Sequence, residues 1–561
     1  WRGLEANTGT FFDWNGVITH NLKRGYFQNQ LMLNKSSEEK ALLIETEIEK
    51  IDENNKNMPL IFPLGGDHLN IPKNVKNEIS AINKKLKQYK ISFDKNLFDI
   101  FGSIDKKSLK NYKEYEFRDN NSTFLLDGVY SCRNDLKYEN AKTCRILSQI
   151  AEPFIAFLNM INVIDNTYEN EFKYAYIETI KNHAHDSLYG CNIDSVNRQI
   201  KERYKRVQSI AQSIINREIV RLESENAKLT VFNLGKYSFS GLVKLKTDKK
   251  IKNMYVLKKE KGFAINKLHN PDDIPMTEDF KTIYTYLIPV KNIKPFSIKI
   301  LNNSNIVCDN ELKNNKNSIE NEYIKIEVNS NNEIDIQDKI KNKIYKNVFI
   351  IKDSADIGDS YNFGALKGDK FLYAKLKKYE TFINKGVSCI LKTVYNIKIP
   401  KNTNKNKRTK ECISTDINVD YILEALSGIL KIEIKFINKC TNHKIGYGIK
   451  LKSNTNGKIL LYCEDMLGIT CREIDAKNNI YNEIPAKKGV ELKTNTIPFN
   501  RFIYSSGIGV ITEGIHSATV EKEGLFIDIL RSIGQISNPQ NPCRGTSAGP
   551  PLKALDSFMK C

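Results

Sequence analysis

The stretch Asn182-His183-Ala184-His185-Asp186-Ser187-Leu188-Tyr189-Gly190-Cys191 gathers two imidazoles and a carboxylate at the mouth of a long helical pattern. Imidazole nitrogens with a carboxylate suit a divalent metal, and the same groups suit the hydroxyls of a sugar. For His185 the alternative is a histidine whose ring is satisfied at a helix start. A second candidate is Asp67, which ends the turn Leu64-Gly65-Gly66-Asp67-His68. The two glycines leave room for a ligand, so its carboxyl could work as a general acid/base on a substrate oxygen. It could equally be a turn aspartate that caps the helix after Pro72. Cys191 is expected to pack as a small buried thiol rather than to ligate metal or work in redox chemistry.

These residues need elements to hold them. After the histidines, Asp194 can cap a helix in which Val196, Ile200, Tyr204, Val207, Ile210, Ala211, Ile214 and Ile215 recur at helical spacing. Before them, Cys144, Leu147, Ile150, Phe154 and Leu158 repeat the pattern, and a helical bundle is expected over residues 118–226. Residues 1–117 are mixed. The apolar run Pro59–Leu64 reads as a buried strand that enters the Gly-rich turn, and Val75, Ile79, Ile82 and Leu86 follow at helical spacing. Strand, Gly-turn and helix in that order form the α/β unit whose strand ends carry active sites. Residues 227–561 switch to short β-like runs, among them Leu229–Phe232, Tyr255–Leu257, Lys431–Phe436 and Ile459–Tyr462, which predict antiparallel β-sandwiches in two sub-domains. The Lys/Asn-rich stretch Lys401–Arg408 reads as a solvated loop. The expected fold class is therefore multidomain: α/β, then a helical bundle, then antiparallel β-sandwich.

Composition narrows the function classes. A chain of 561 residues with 40% hydrophobic content is long enough for several cores. Its net charge of +20 invites a nucleic-acid reading, but the lysines are spread among Asn and Ile rather than gathered on one face, and no aromatic-and-basic motif appears. The eleven cysteines contain no C-x-x-C pair, which points to reduced thiols and a cytoplasmic setting. No apolar run of about 18 residues predicts a membrane span. The chain opens on Trp1 and closes on Lys560-Cys561, and both ends read as cut.

The ten-residue stretch from Asn182 to Cys191, with the long helix behind it, resembles the signature of glycoside hydrolase family 38, the retaining α-mannosidases. Other segments follow in the family's order. Trp1-Arg2-Gly3 is similar to the element just after the nucleophile strand, and Leu64-Gly65-Gly66-Asp67 to the turn that bears the acid/base. Ser131-Cys132-Arg133-Asn134-Asp135-Leu136-Lys137 resembles the opening of the central helical domain. Asn438-Lys439-Cys440-Thr441-Asn442-His443-Lys444 looks like the family's Asn-x-x-x-Asp-His-Arg strand with Asn for Asp and Lys for Arg. Gly524–Gly534 and Arg544–Pro550 also match. The bacterial branch, which includes mannosylglycerate hydrolases, is the closer match. The resemblance is weakest from about Lys250 to Pro400.

The resemblance implies a zinc-assisted double displacement on an α-mannoside, with a carboxyl pair about 5 Å apart. Carried over, Asp67 would be the acid/base, His185 a zinc ligand, Asp186 a carboxylate binding sugar hydroxyls, and Arg2 a charge near the nucleophile. Residues 1–117 would be the C-terminal part of a β/α barrel-like catalytic domain. The family's His-x-Asp zinc pair, third-ligand strand and nucleophile precede the Trp-Arg-Gly element and are absent here, so the chain alone is expected to be inactive. One ligand is too few, because zinc sites take at least three protein groups. The expected partners are the α-mannoside, the missing N-terminal segment and, as in relatives, a further copy in a homo-oligomer, with no nucleic acid or membrane. The alternatives are a non-catalytic carbohydrate-binding or scaffold remnant and, from charge alone, a nucleic-acid binder whose affinity would fall steeply with salt.

Overall fold

The structure is a computed structural model that describes residues 11–14, 17–20, 35–49, 60–61, 74–92, 124–222, 229–251, 255–263, 280–301, 311–384, 386–404, 407–451, 457–466, 468–478, 480–487, 490–545 and 552–553. Asp67 and Arg2 lie outside these residues. The chain divides into two compact units: Trp1–Leu126 with Glu483–Lys493 and Cys543–Thr546, and Asp127–Asn482 with Thr494–Pro542 and Ser547–Cys561.

In the first unit, Phe11–Trp14 pairs antiparallel with Val17–His20, which pairs parallel with Leu60–Ile61. Of the strand expected at Pro59–Leu64, Leu60–Ile61 is a strand, and the rest of that run lies outside the described residues. Helix α1 (Ser37–Glu49) starts at a capping box in which the Ser36 N–H donates to Glu39 at 2.7 Å and the Glu39 N–H donates to the Ser36 hydroxyl at 3.2 Å. Ala41 and Ile44 pack with Ile82 of α2 (Val75–Asn83), where the predicted Ile79 and Ile82 are buried.

The second unit opens with helices. These are α3 (Asn134–Cys144), a π-helical stretch at Arg145–Ala151, α4 (Glu152–Met160), α5 (Glu169–Lys181), α6 (His185–Tyr189) and α7 (Asp194–Leu222). As the spacing predicts, Ile200, Tyr204, Val207, Ala211, Ile214 and Ile215 form the buried stripe of α7, and Leu147, Phe154 and Leu158 face it in one core. Ile150 belongs to the same pattern but is exposed, because the π-helical stretch shifts the period.

The strands that follow form antiparallel sheets. The largest has six strands in the order Leu372–Tyr373, Phe349–Ala355, His443–Ile449, Gly524–Ser532, Ser517–Glu521 and Thr496–Pro498. A four-stranded sheet of Lys375–Asn384, Ser388–Pro400, Cys412–Glu424 and Leu430–Lys435 alternates buried and exposed residues. Its inner residues, such as Leu391, Ile397, Val419 and Tyr421, share a core with Ile445, Tyr447 and Leu530 of the larger sheet. The described residues between about Lys250 and Pro400, where the family resemblance is weakest, hold strands as the β-like texture predicts. The expectation of a solvated loop at Lys401–Arg408 is corrected. Thr403–Asn404 pairs with Lys407–Arg408, and the Arg408 guanidinium turns inward onto Asp369 at 2.6 Å and Asp353 at 2.5 Å. Two buried carboxylates draw in the one arginine of that basic run, a demand that composition does not reveal.

Helices and sheets meet at Arg531. This fully buried side chain donates from Nε to Asp356 at 2.6 Å, from Nη1 to the Gly128 carbonyl at 3.1 Å, and from Nη2 to the carbonyls of Asp359 and Asn362, each at 2.6 Å. Asp356 also accepts the N–H groups of Gly358 and Gly364, each at 2.9 Å. The loop is so tight that a Cβ on Gly358 would lie 2.2 Å from the Asn362 carbonyl oxygen. Replacing Arg531 with Met would strand a buried carboxylate and three carbonyls, so a loss of about 3–5 kcal/mol is expected. Chemical denaturation checks this, and a loss under about 1 kcal/mol would contradict the role.

Candidate active site

The sequence expects His183, His185 and Asp186 to act as one cluster, and the structure divides them. Helix α5 ends at Lys181, and Asn182 is fully buried. Its Nδ2 donates to the Ile200 carbonyl at 3.0 Å, and its Oδ1 accepts from Arg203 at 3.1 Å. The turn is thereby pinned to α7. His183 faces away from the motif, with Nε2 2.9 Å from Oδ1 of Asn140, which also accepts from the Tyr204 hydroxyl at 3.2 Å. Partial burial holds its pKa below the ordinary histidine value. Ala184 is extended, with φ −52° and ψ 135°, and this extended residue separates the two imidazoles.

His185 and Asp186 open α6 on the other side of that residue. Their side chains are 87% and 54% exposed, and His185 Nε2 lies 3.6 Å from a carboxylate oxygen of Asp186. An imidazole and a carboxylate at this separation can bind a metal or a pair of hydroxyls, and both are open to a ligand. Among the described residues no three His, Cys, Asp or Glu side chains gather closely enough to hold a metal ion. The residues described therefore do not by themselves fit a zinc ion, which needs at least three protein donors.

Helix α6 has five residues, too few to hold itself by its own hydrogen bonds. Its far end is anchored instead. Gly190 closes the helix with φ +78°, and its N–H donates to the Asp186 carbonyl at 3.1 Å. Arg133, itself in the left-handed region at φ 47°, donates from Nε to the Gly190 carbonyl at 3.2 Å and from Nη2 to the Asn192 carbonyl at 3.2 Å. The same nitrogen pairs with Asp194 at 2.8 Å. Asp194, expected as a cap, is the first residue of α7 and the counter-ion of the anchor. Cys191 packs as expected: it is buried, its Sγ lies 3.7 Å from the Ser360 carbonyl, and burial pushes its thiol pKa up. The His443 side chain from the second sequence match is fully buried between Asp353 at 2.6 Å and Asn438 at 3.0 Å, a structural position in the six-stranded sheet. Arg133 had a sequence signal only as part of the Ser131–Lys137 match, and nothing in that run marks what its guanidinium touches.

The chain has the fold of two solved structures from Enterococcus faecalis. It superimposes with a TM-score of 0.71 on the crystal structure of an alpha-mannosidase from Enterococcus faecalis, at 17% identity, covering 92% of this chain and 65% of that one. The TM-score is 0.70 for a protein in glycosyl hydrolase family 38 from Enterococcus faecalis, at 17% identity over 91% of this chain and 64% of that one. Among curated proteins, one from Halalkalibacterium halodurans, provisionally named mannosylglycerate hydrolase, is 20% identical over 87% of this chain and 61% of its own length. No protein-family model matches the chain. The chain thus spans less than two thirds of the length of these relatives. Among the described residues no helix is long and apolar enough to cross a membrane, and the nine described cysteines are all free thiols.

Alanine at Gly190 would adopt φ +78° and set its Cβ 2.9 Å from the Arg133 side chain, which is held on both sides. Gly190→Ala is expected to cost about 1–3 kcal/mol in thermal or urea unfolding. An unchanged midpoint would show that Arg133 is not fixed there.

Proposed function

We propose that this chain is part of a retaining α-mannosidase, in which His185 contributes one ligand to a zinc ion and Asp186 binds hydroxyls of the sugar. The observation that carries the reading is the outward-facing His185–Asp186 pair opening a short helix whose far end is fixed by buried groups, within the fold shared with the Enterococcus faecalis alpha-mannosidase. Asp67 is assigned the general acid/base role and Arg2 a position near the nucleophile, on the sequence match alone. The nucleophile and the remaining zinc ligands are assigned to a segment beyond this sequence, and residues 1–117 to the C-terminal part of a β/α barrel-like domain. Residues 118–226 form the helical domain in this scheme, and residues 227–561 the β-sandwich region.

When bound, zinc would orient vicinal hydroxyls of the mannose. The chain's own side chains bind the sugar and move the proton. Asp186 accepts hydrogen bonds from sugar hydroxyls, and its carbonyl accepts from Asn192 Nδ2 at 2.8 Å and from the Gly190 N–H, so its backbone is held while its carboxylate reaches outward. Asp67 would deliver a proton to the departing oxygen. The enzyme is placed in the cytoplasm, to which its free thiols are suited. A second reading, mannosylglycerate hydrolysis, is favoured by the name of the Halalkalibacterium halodurans relative, and it differs only in the group that leaves.

Two substitutions in the whole gene product test the assignments. Asp67→Asn is expected to lower turnover of an alkyl or disaccharide mannoside by about 10²–10⁴-fold while sparing an activated aryl mannoside. An equal loss on both would remove Asp67 as the acid. His185→Ala is expected to abolish stoichiometric zinc by metal analysis together with activity, and a full complement of zinc would remove His185 from the ligand set.

A further inference from the structure

Lys137 lies in α3, and its side chain is buried. Lysine is seldom so enclosed without a carboxylate partner, and among the described residues Lys137 forms no ion pair. Its Nζ donates instead to two backbone carbonyls, that of Cys132 in the turn before its own helix and that of Tyr189 at the end of α6, the latter at 3.1 Å. The ammonium also lies 5.8 Å from the centre of the Tyr189 ring, whose edge meets the Tyr130 ring at 5.6 Å. Together with Arg133, it brings charged N–H donors to the carbonyls of Tyr189, Gly190 and Asn192 in succession. The exposed carbonyls at a helix C-terminus carry partial negative charge, so two buried cations at this end are well placed. At the other end of the helix the His185 and Asp186 side chains are exposed.

We propose that Lys137 is a positioning residue for the His185–Asp186 pair, setting the register of α6 through the Tyr189 carbonyl without touching the ligand itself. The role in catalysis rests on the reading of that pair as the mannoside-handling groups, but the mechanical role does not. The groups that act on the ammonium are Cys132, Cys191, Asp135 and Arg133, and it in turn acts on His516. Burial outweighs the others and lowers the Lys137 pKa to about 8. An opening of α6 that hydrates Lys137 restores its ordinary pKa of 10.5, so the open form binds more protons between about pH 8 and 10.5. Opening therefore becomes rarer as pH rises through that window, and the closed helix is least secure below pH 8.

Amide hydrogen exchange of residues 185–190, corrected for intrinsic rates, tests this on the chain as it stands. In the wild type the protection of this segment should increase about tenfold or more from pH 7.5 to 9.5. In Lys137→Met, which removes the Nζ donor from both carbonyls, protection at pH 7.5 should fall about tenfold and lose its extra pH dependence, while α7 and the six-stranded sheet exchange as before. Lys137→Arg keeps a charged donor and should restore protection in part, which separates a lost donor from a fold that has simply failed. Exchange at residues 185–190 that is equal in wild type and Lys137→Met, with the same pH dependence, would overturn the proposal. In the whole gene product, Lys137→Met should lower kcat on an aryl α-mannoside about tenfold with a smaller change in KM. A wild-type product that turns over no α-mannoside would refute the functional reading and leave the exchange result to decide the positioning role.

Discussion

The second unit depends on one buried guanidinium. Arg531 reaches from the six-stranded sheet to Asp356 and to the carbonyls of Gly128, Asp359 and Asn362, and so ties a strand, a loop and the entry to the helices at a single point. A planar group with five N–H donors suits this task, because it satisfies several carbonyls while its charge is met by one carboxylate. The loop it organises also carries Ser360, whose carbonyl lies against Cys191. The support of the exposed pair can therefore be followed from Arg531 through that loop to the end of α6.

The same device recurs at smaller scale. Arg133 and Lys137 are both buried, and both turn their donors to main-chain carbonyls around Tyr189 and Asn192. Burying cations is costly, and groups that need a fixed position at the surface are where such a cost has a use. His185 and Asp186 stand out from the helix they open, while the other end of that helix is held by groups that water does not reach. Asn182 completes the arrangement by bonding the preceding turn to α7. An exposed pair on a rigid footing suits the sugar-binding role proposed for it.

Much of this was legible in the sequence, and the exceptions share a cause. The stripe of α7, the strands at Leu229–Asn233 and Lys458–Glu464 and the packing of Cys191 follow from periodicity and residue size, which are local properties. His185 and Asp186 are exposed side by side, whereas the turning away of His183 depends on Asn140, more than 40 positions distant in the chain. Arg408 shows the same limit. Its neighbours are Lys and Asn, its partners are Asp353 and Asp369, and only the fold brings them together. Buried charges answer to distant carboxylates and carbonyls, so a charge run read by composition misses the one member that folds inward. Asp67 and Arg2, whose roles rest on the family match, lie outside the described residues.

The most direct test of the central claim is the stereochemical course of hydrolysis by the whole gene product, followed by proton nuclear magnetic resonance of the anomeric signal as an aryl α-mannoside is cleaved. The account predicts that α-mannose appears first and that the β-anomer grows in only by mutarotation, as a double displacement requires. Initial release of β-mannose would contradict it, because inversion is a single displacement by water between carboxyl groups set farther apart and forms no glycosyl-enzyme intermediate.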